Sequence, residues 1–219
     1  MWFFALTSVS GNAEVLKKET QKFVYYLLVP SSYNSAQSWP LIITLHPSTG
    51  RGNMMVDYLT EQAEKKGYIV AGPDSQDSKT WYFSESEDIF RMIDDIKAKY
   101  RIDEKRIFLT GFSSGAGMAY YLGLNYPQKF RAIAPFAGPF KQKEIDGRID
   151  MSSDQSRHIP VLILHGKNDN TLDFSESVYA KERLGKFGYE VKLRELGGIG
   201  HEYPPEASWI IINWFDKMK

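Results

Sequence analysis

Cysteine is absent from the 219 residues. That excludes disulfides, thiolate metal sites and a cysteine nucleophile at once. It leaves the compartment open, because a reducing cytosol and a cysteine-free secreted protein both fit. A surplus of either charge is also lacking. The 27 basic side chains balance 27 acidic ones, whereas a nucleic-acid binder carries a basic excess. No run approaches the roughly 20 apolar residues that span a bilayer. No segment repeats, and none has the composition of a linker. The start, Met1-Trp2-Phe3-Phe4-Ala5-Leu6, is apolar but has no positive flank of the kind a secretory signal carries. It reads as an early strand or as the cut end of a longer chain. With 42% apolar and 25% charged residues the composition is globular. The length suits one domain over 1–219, with 1–21 as an N-terminal strand or extension.

What is present is an alternation of strand and helix patterns. Strands are predicted at 23–29, 41–46, 68–71, 106–110, 132–136, 161–165 and 191–196. Two of them, Leu41-Ile42-Ile43-Thr44-Leu45 and Val161-Leu162-Ile163-Leu164, are nearly continuous in apolar character, as strands buried on both faces of a parallel sheet require. Helices are predicted at about 54–66, 87–100, 114–126, 174–187 and 205–218. In 87–100 the apolar residues Ile89, Ile93, Ile96 and Tyr100 recur at helical spacing. Ser84 or Ser86 is placed to cap that helix. In the last helix Trp209, Ile212 and Phe215 share a face. This order predicts a mostly parallel, doubly wound α/β sheet with helices on both sides, and the short length leaves little room for a large lid. Active residues of such sheets lie on loops at the carboxyl ends of the strands.

At one such end stands Gly111-Phe112-Ser113-Ser114-Gly115, between a strand and a helix. A bare G-x-S-x-G arises by chance too readily to decide anything; the strand–turn–helix setting gives it weight. The turn is tight enough that only very small residues fit beside the serine. Ser113 is the candidate nucleophile, and the N–H of Ser114 is free to face a developing oxyanion.

A serine hydroxyl needs a base. Of the four histidines, His46 precedes Ser113, His158 sits at the wrong end of its strand, and His165 shapes a strand-end loop. His201, in Gly197-Gly198-Ile199-Gly200-His201, alone leaves room for an acid between itself and Ser113 in the order serine, acid, histidine. Asp169, the first carboxylate past strand 161–165, is the candidate acid, to hold the imidazole tautomer and stabilise the imidazolium. Asp173 competes, although its place suits the start of the next helix. Asp146, Asp150 and Asp154 read as solvated surface. The loop His46-Pro47-Ser48-Thr49-Gly50 follows the strand that usually supplies a second oxyanion donor. Pro47 has no N–H, so Ser48 is the first choice and Thr49 the second.

Trp81, Tyr82, Phe83, Phe112, Phe136 and Tyr203 could line one cleft, with core packing equally open for each. Thr49, Trp81, Phe112 and Tyr203 are the candidates for contact with substrate. His201-Glu202-Tyr203-Pro204-Pro205 begins like a zinc motif but lacks the second histidine, and its prolines break the helix such a motif needs. Gly115-Ala116-Gly117 lacks the third glycine of a dinucleotide fingerprint. Neither a metal nor a cofactor is expected.

The stretch from Ile93-Asp94-Asp95-Ile96 through Gly111-Phe112-Ser113-Ser114-Gly115 resembles the polyhydroxybutyrate-depolymerase/feruloyl-esterase group of α/β hydrolases. So do Leu164-His165-Gly166-Lys167-Asn168-Asp169 and Gly200-His201-Glu202-Tyr203-Pro204. The resemblance runs from about Phe23 to the end. It implies hydrolysis of carboxylic esters, with short acyl, acetyl or feruloyl groups on small or polymer-linked substrates, and with Ser113, Asp169 and His201 as triad and Ser48 and Ser114 as oxyanion donors. It also implies a leaning towards secretion. A serine peptidase, a thioesterase or a binding module without turnover are the alternatives. Two departures stand out. His46-Pro47 replaces the group's usual His-Gly, and the chain is short, which implies an open cleft. Oligomeric state is not legible.

Overall fold

The run Leu41-Ile42-Ile43-Thr44-Leu45 forms most of β3 (Trp39–Leu45), in which every residue is buried. The structure, a computed structural model, describes residues 15–19, 23–140 and 158–218. The expected features at Met1–Leu6 and at Asp146, Asp150 and Asp154 lie outside those residues. Eight strands form one sheet in the order β1-β2-β4-β3-β5-β6-β7-β8. β1 (Val15–Glu19) and β2 (Val24–Leu28) form an antiparallel edge against β4 (Ile69–Pro73). From β4 onward all neighbours are parallel: β3, β5 (Ile102–Phe112), β6 (Ala132–Phe136), β7 (Val161–Gly166) and β8 (Val191–Leu196).

Alternation along each strand sends neighbouring side chains to opposite faces, and two apolar clusters result. Leu41, Ile43, Leu109 and Ile163 meet α2 (Ser86–Lys99), α3 (Ser114–Asn125) and α4 (Ser175–Lys186) on one face. Ile42, Phe108, Leu162 and Leu164 meet α1 (Gly52–Lys66) and α5 (Pro205–Asp216) on the other. Phe108 is fully buried and stacks on Phe215 with ring centroids 4.5 Å apart; burial of one such ring contributes on the order of 2–3 kcal/mol. α3 is buried nearly all round, which explains its lack of a polar face.

The elements differ from the sequence expectation at their ends. β3 begins at Trp39 because Pro40 is accommodated at an irregularity between Trp39 and Leu41. Neither Ser84 nor Ser86 caps α2. The Ser86 hydroxyl donates to the Phe83 carbonyl at 2.5 Å. The buried Glu85 carboxylate instead accepts the N–H groups of Tyr82 and Gln76, both at 2.6 Å. Burial pushes that carboxyl above its ordinary pKa, and the two backbone donors pull the other way. Among the described residues no helix is long and apolar enough to cross a membrane.

Candidate active site

Three strand ends deliver the site. Ser113 occupies the turn from β5 into α3 at φ 53° and ψ −119°, a conformation a residue with a Cβ adopts only when its surroundings enforce it. The enforcement is visible. The Ser113 N–H donates to the Phe136 carbonyl at 3.0 Å. A Cβ on Gly111 would lie 2.4 Å from the Gly115 carbonyl oxygen, and one on Gly115 would lie 2.2 Å from that of Leu45. The elbow is therefore pressed against both the following helix and the end of β3.

His201 Nε2 lies 2.9 Å from Ser113 Oγ, and its Nδ1 lies 2.6 Å from Asp169 Oδ2. The other carboxylate oxygen of Asp169 accepts the N–H groups of Thr171 and Leu172, both at 2.8 Å. Burial alone would raise the Asp169 pKa. The Leu172 N–H, the His201 side chain and the Thr171 N–H outweigh it and hold the carboxyl below its ordinary value. Asp169 is thus kept as an anion in a dry place. Asp173, the competitor, uses its carboxylate to accept the Ser175 N–H at 2.8 Å, where α4 begins.

The loops that carry Asp169 and His201 are tied directly. Lys167 N–H donates to the Leu196 carbonyl at 2.8 Å and Asn168 N–H to that of Ile199 at 2.9 Å. Gly166 makes the approach possible, since a Cβ there would sit 2.5 Å from the carbonyl oxygens of both Ile199 and Gly200. Sequence reasoning missed this requirement; the only signal was a glycine directly after the strand. Gly166→Ala is expected to push the base loop outward and lower kcat by about 100-fold, the scale of a misplacement near 1 Å. Steady-state kinetics on a soluble ester checks this, and an unchanged kcat would mean the loop adapts.

His46 is buried, with Nδ1 2.8 Å from the Pro47 carbonyl and Nε2 accepting the Ser75 N–H at 3.0 Å. A carbonyl cannot donate, so the proton is on Nδ1 and the ring is neutral; burial depresses its pKa accordingly. The Thr49 N–H donates to the Ser78 carbonyl at 2.5 Å. That removes Thr49, the second choice, as an oxyanion donor. Among the described residues no hydrogen-bond acceptor takes the N–H of Ser48 or of Ser114.

The expected aromatic wall divides in two. Trp81 is only 8% exposed, donates its indole N–H to the His46 carbonyl at 2.8 Å and packs on the His46 ring. Phe112 is buried beneath His201 and Tyr203, with ring centroids at 5.0 and 5.8 Å. Phe136 is fully buried. The expectation that these three line a cleft is corrected: their surfaces are spent supporting the site from behind. Thr49 and Tyr82 are exposed, while Phe83 and Tyr203 are half-buried. Phe83 stacks on Tyr121, and Tyr203 stacks on Tyr58 at 4.7 Å with the rings 4° from parallel. Among the described residues no cluster of side chains could hold a metal ion.

A strained serine elbow at the rim of a doubly wound, mostly parallel sheet defines the α/β-hydrolase fold. Within it the chain belongs to the phospholipase/carboxylesterase family, whose model matches residues 72–218. A bifunctional acetylxylan esterase/xylanase of Neocallimastix patriciarum is 29% identical over 152 residues, covering 65% of this chain and 21% of its own. The feruloyl esterase B of Talaromyces stipitatus is 25% identical over 258 residues, covering 87% of this chain and 71% of its own. This chain therefore spans about a fifth of the first relative's length. The ferulic acid esterase of Anaeromyces mucronatus, solved with ferulic acid, superimposes with a TM-score of 0.71 at 16% identity, covering 90% of this chain and 87% of its own. At that identity the likeness concerns the fold.

Proposed function

We propose that this chain is a single-domain serine esterase, with Ser113 as nucleophile, His201 as base and Asp169 as the base's partner. The observation that carries the reading is the imidazole of His201, which bridges Ser113 Oγ at 2.9 Å and Asp169 Oδ2 at 2.6 Å. Ser113 Oγ attacks the ester carbonyl carbon while His201 Nε2 takes the hydroxyl proton. The Nδ1–H stays on the ring and donates to Asp169, whose charge stabilises the imidazolium. The N–H groups of Ser48 and Ser114 receive the oxyanion. Their freedom from other acceptors supports this, as does the packing of the Leu45–His46 segment against the Cα of Gly115. Collapse expels the alcohol, which leaves with the proton from His201. Water, activated by the same imidazole, then releases the acid.

The relatives support a reading of the substrate class. Their names specify acetylxylan and feruloyl esters, so we assign short acyl, acetyl or feruloyl groups carried by small alcohols or polysaccharide. Thr49 and Tyr203 are the candidate contacts that retain surface. The purified chain is expected to hydrolyse p-nitrophenyl acetate and methyl ferulate but not the matching p-nitroanilide. Cleavage of the anilide at a comparable rate would favour a peptidase. Failure on every ester, thioester and anilide would sink the reading of a working enzyme.

A further inference from the structure

A second histidine touches the acid. His165, at the end of β7, is fully buried, as is the carboxylate of Asp169. Its Nε2 lies 2.9 Å from the Leu172 carbonyl oxygen and 3.2 Å from Asp169 Oδ2. Its Nδ1 lies 2.6 Å from the Ser177 hydroxyl in the first turn of α4. These contacts fix one ring hydrogen. A carbonyl cannot donate, so the hydrogen is on Nε2. Nδ1 is paired with the Ser177 hydroxyl, which can donate or accept. The Nε2–H points between two acceptors, one of them the oxygen that also receives the proton of His201.

We infer that His165 is a positioning residue for the reaction: an imidazole whose Nε2–H holds Asp169 Oδ2 in line with His201 Nδ1. The inference rests on the triad reading above. Its physical content is a count of donors. Asp169 Oδ1 receives the backbone N–H groups of Thr171 and Leu172, and Oδ2 receives the imidazoles of His201 and His165. A carboxylate offers about four acceptor sites, and here all are used. Without His165 the backbone bonds still grip Oδ1, but Oδ2 can swing about the axis they define. The partner of the base then loses its fixed direction while the loop keeps its hydrogen bonds. Ser177 sets the ring from the far side, so the direction of Oδ2 is traced to α4, an element with no other part in the site.

The test uses the geometry of amide side chains. A glutamine places its amide nitrogen near the position of a histidine Nε2, whereas an asparagine places it near Nδ1. His165→Gln is expected to stay within about threefold of the parent kcat. His165→Asn and His165→Leu are expected to lose about 10–100-fold in kcat with KM unchanged, the scale of a hydrogen bond to a charged group. In an Asp169→Asn background, His165→Leu is expected to cost less than about threefold, because the carboxylate it positions is gone. Equal kcat for the Gln and Asn variants overturns the inference. So does a Leu variant with the parent rate, or one with the same loss in both backgrounds. Unfolding of both amide variants, read by circular dichroism and thermal melts, overturns it too, because His165 would then serve the fold alone. Failure of the triad reading looks different: Asp169→Asn itself would keep its rate.

Discussion

Replacing Ser113 by alanine is expected to lower kcat on an aryl acetate by about 10⁶-fold, to the level that oxyanion donors and binding sustain unaided. The alanine should fold as the parent does, since the elbow is enforced by backbone contacts and not by the hydroxyl. KM should change little. Steady-state kinetics measures the loss, and a fluorophosphonate that labels the parent should leave the variant unmarked. Among the described residues no neighbour stands ready to substitute: Ser114 Oγ is buried with no hydrogen-bond partner, and only Ser113 Oγ is in contact with His201 Nε2. Activity within tenfold of the parent would mean that another group attacks, and the reading of the elbow would fall.

Asp169→Asn carries the second large effect, about 10⁴-fold in kcat. The amide nitrogen would donate to His201 Nδ1 and leave Nε2 carrying a hydrogen towards Ser113, where a lone pair is needed. Asp173→Asn is the control. Its carboxylate serves the start of α4, so its rate should stay within about threefold of the parent. The reverse ranking would reassign the acid. The same variant has a signature in stability. In the folded chain the Asp169 carboxyl titrates below its ordinary value. Its contribution to stability is complete above the ordinary carboxylate pKa of about 3.9 and is lost as pH falls through the lower folded value. The difference in stability between parent and variant should therefore shrink below about pH 4 in denaturant titrations, and a difference independent of pH would contradict the lowered titration.

The parts of this architecture that were legible in the sequence are those governed by local pattern. Continuous apolar runs marked β3 and β7, because a strand covered on both faces has no polar side to show. The spacing of Gly111, Ser113 and Gly115 was readable because each flanking position is closed by backbone only a few residues away or at the end of β3. The order serine, acid, histidine left one histidine available. What escaped depends on meetings between distant segments. Trp81 lies 35 residues from the carbonyl its indole N–H finds, and nothing near it in the chain announces that partner. The composition of this helix start suits Ser84 or Ser86 as cap and Glu85 as a charge at its positive end; the closure by the Glu85 carboxylate depends on its burial and its reach back to Gln76, which capping preferences for exposed helix starts do not describe. The bond from His165 to Asp169 spans only four residues. It stayed hidden because both side chains had first to turn inward, which a loop sequence does not reveal.

The two backbone bonds between the Asp169 loop and the His201 loop make those loops a single mechanical unit. Exchange of residues 197–201 for the corresponding segment of a relative, without 166–169, would import an imidazole with no reference for its height above the sheet. The Asp169 and His201 segments are transferable as a pair, while the serine elbow, anchored to β6 and β3, belongs to a separate module. Grafting schemes and directed libraries that respect this division will keep the contacts between His201 and Asp169, and diversity is best placed in the segments on either side of them.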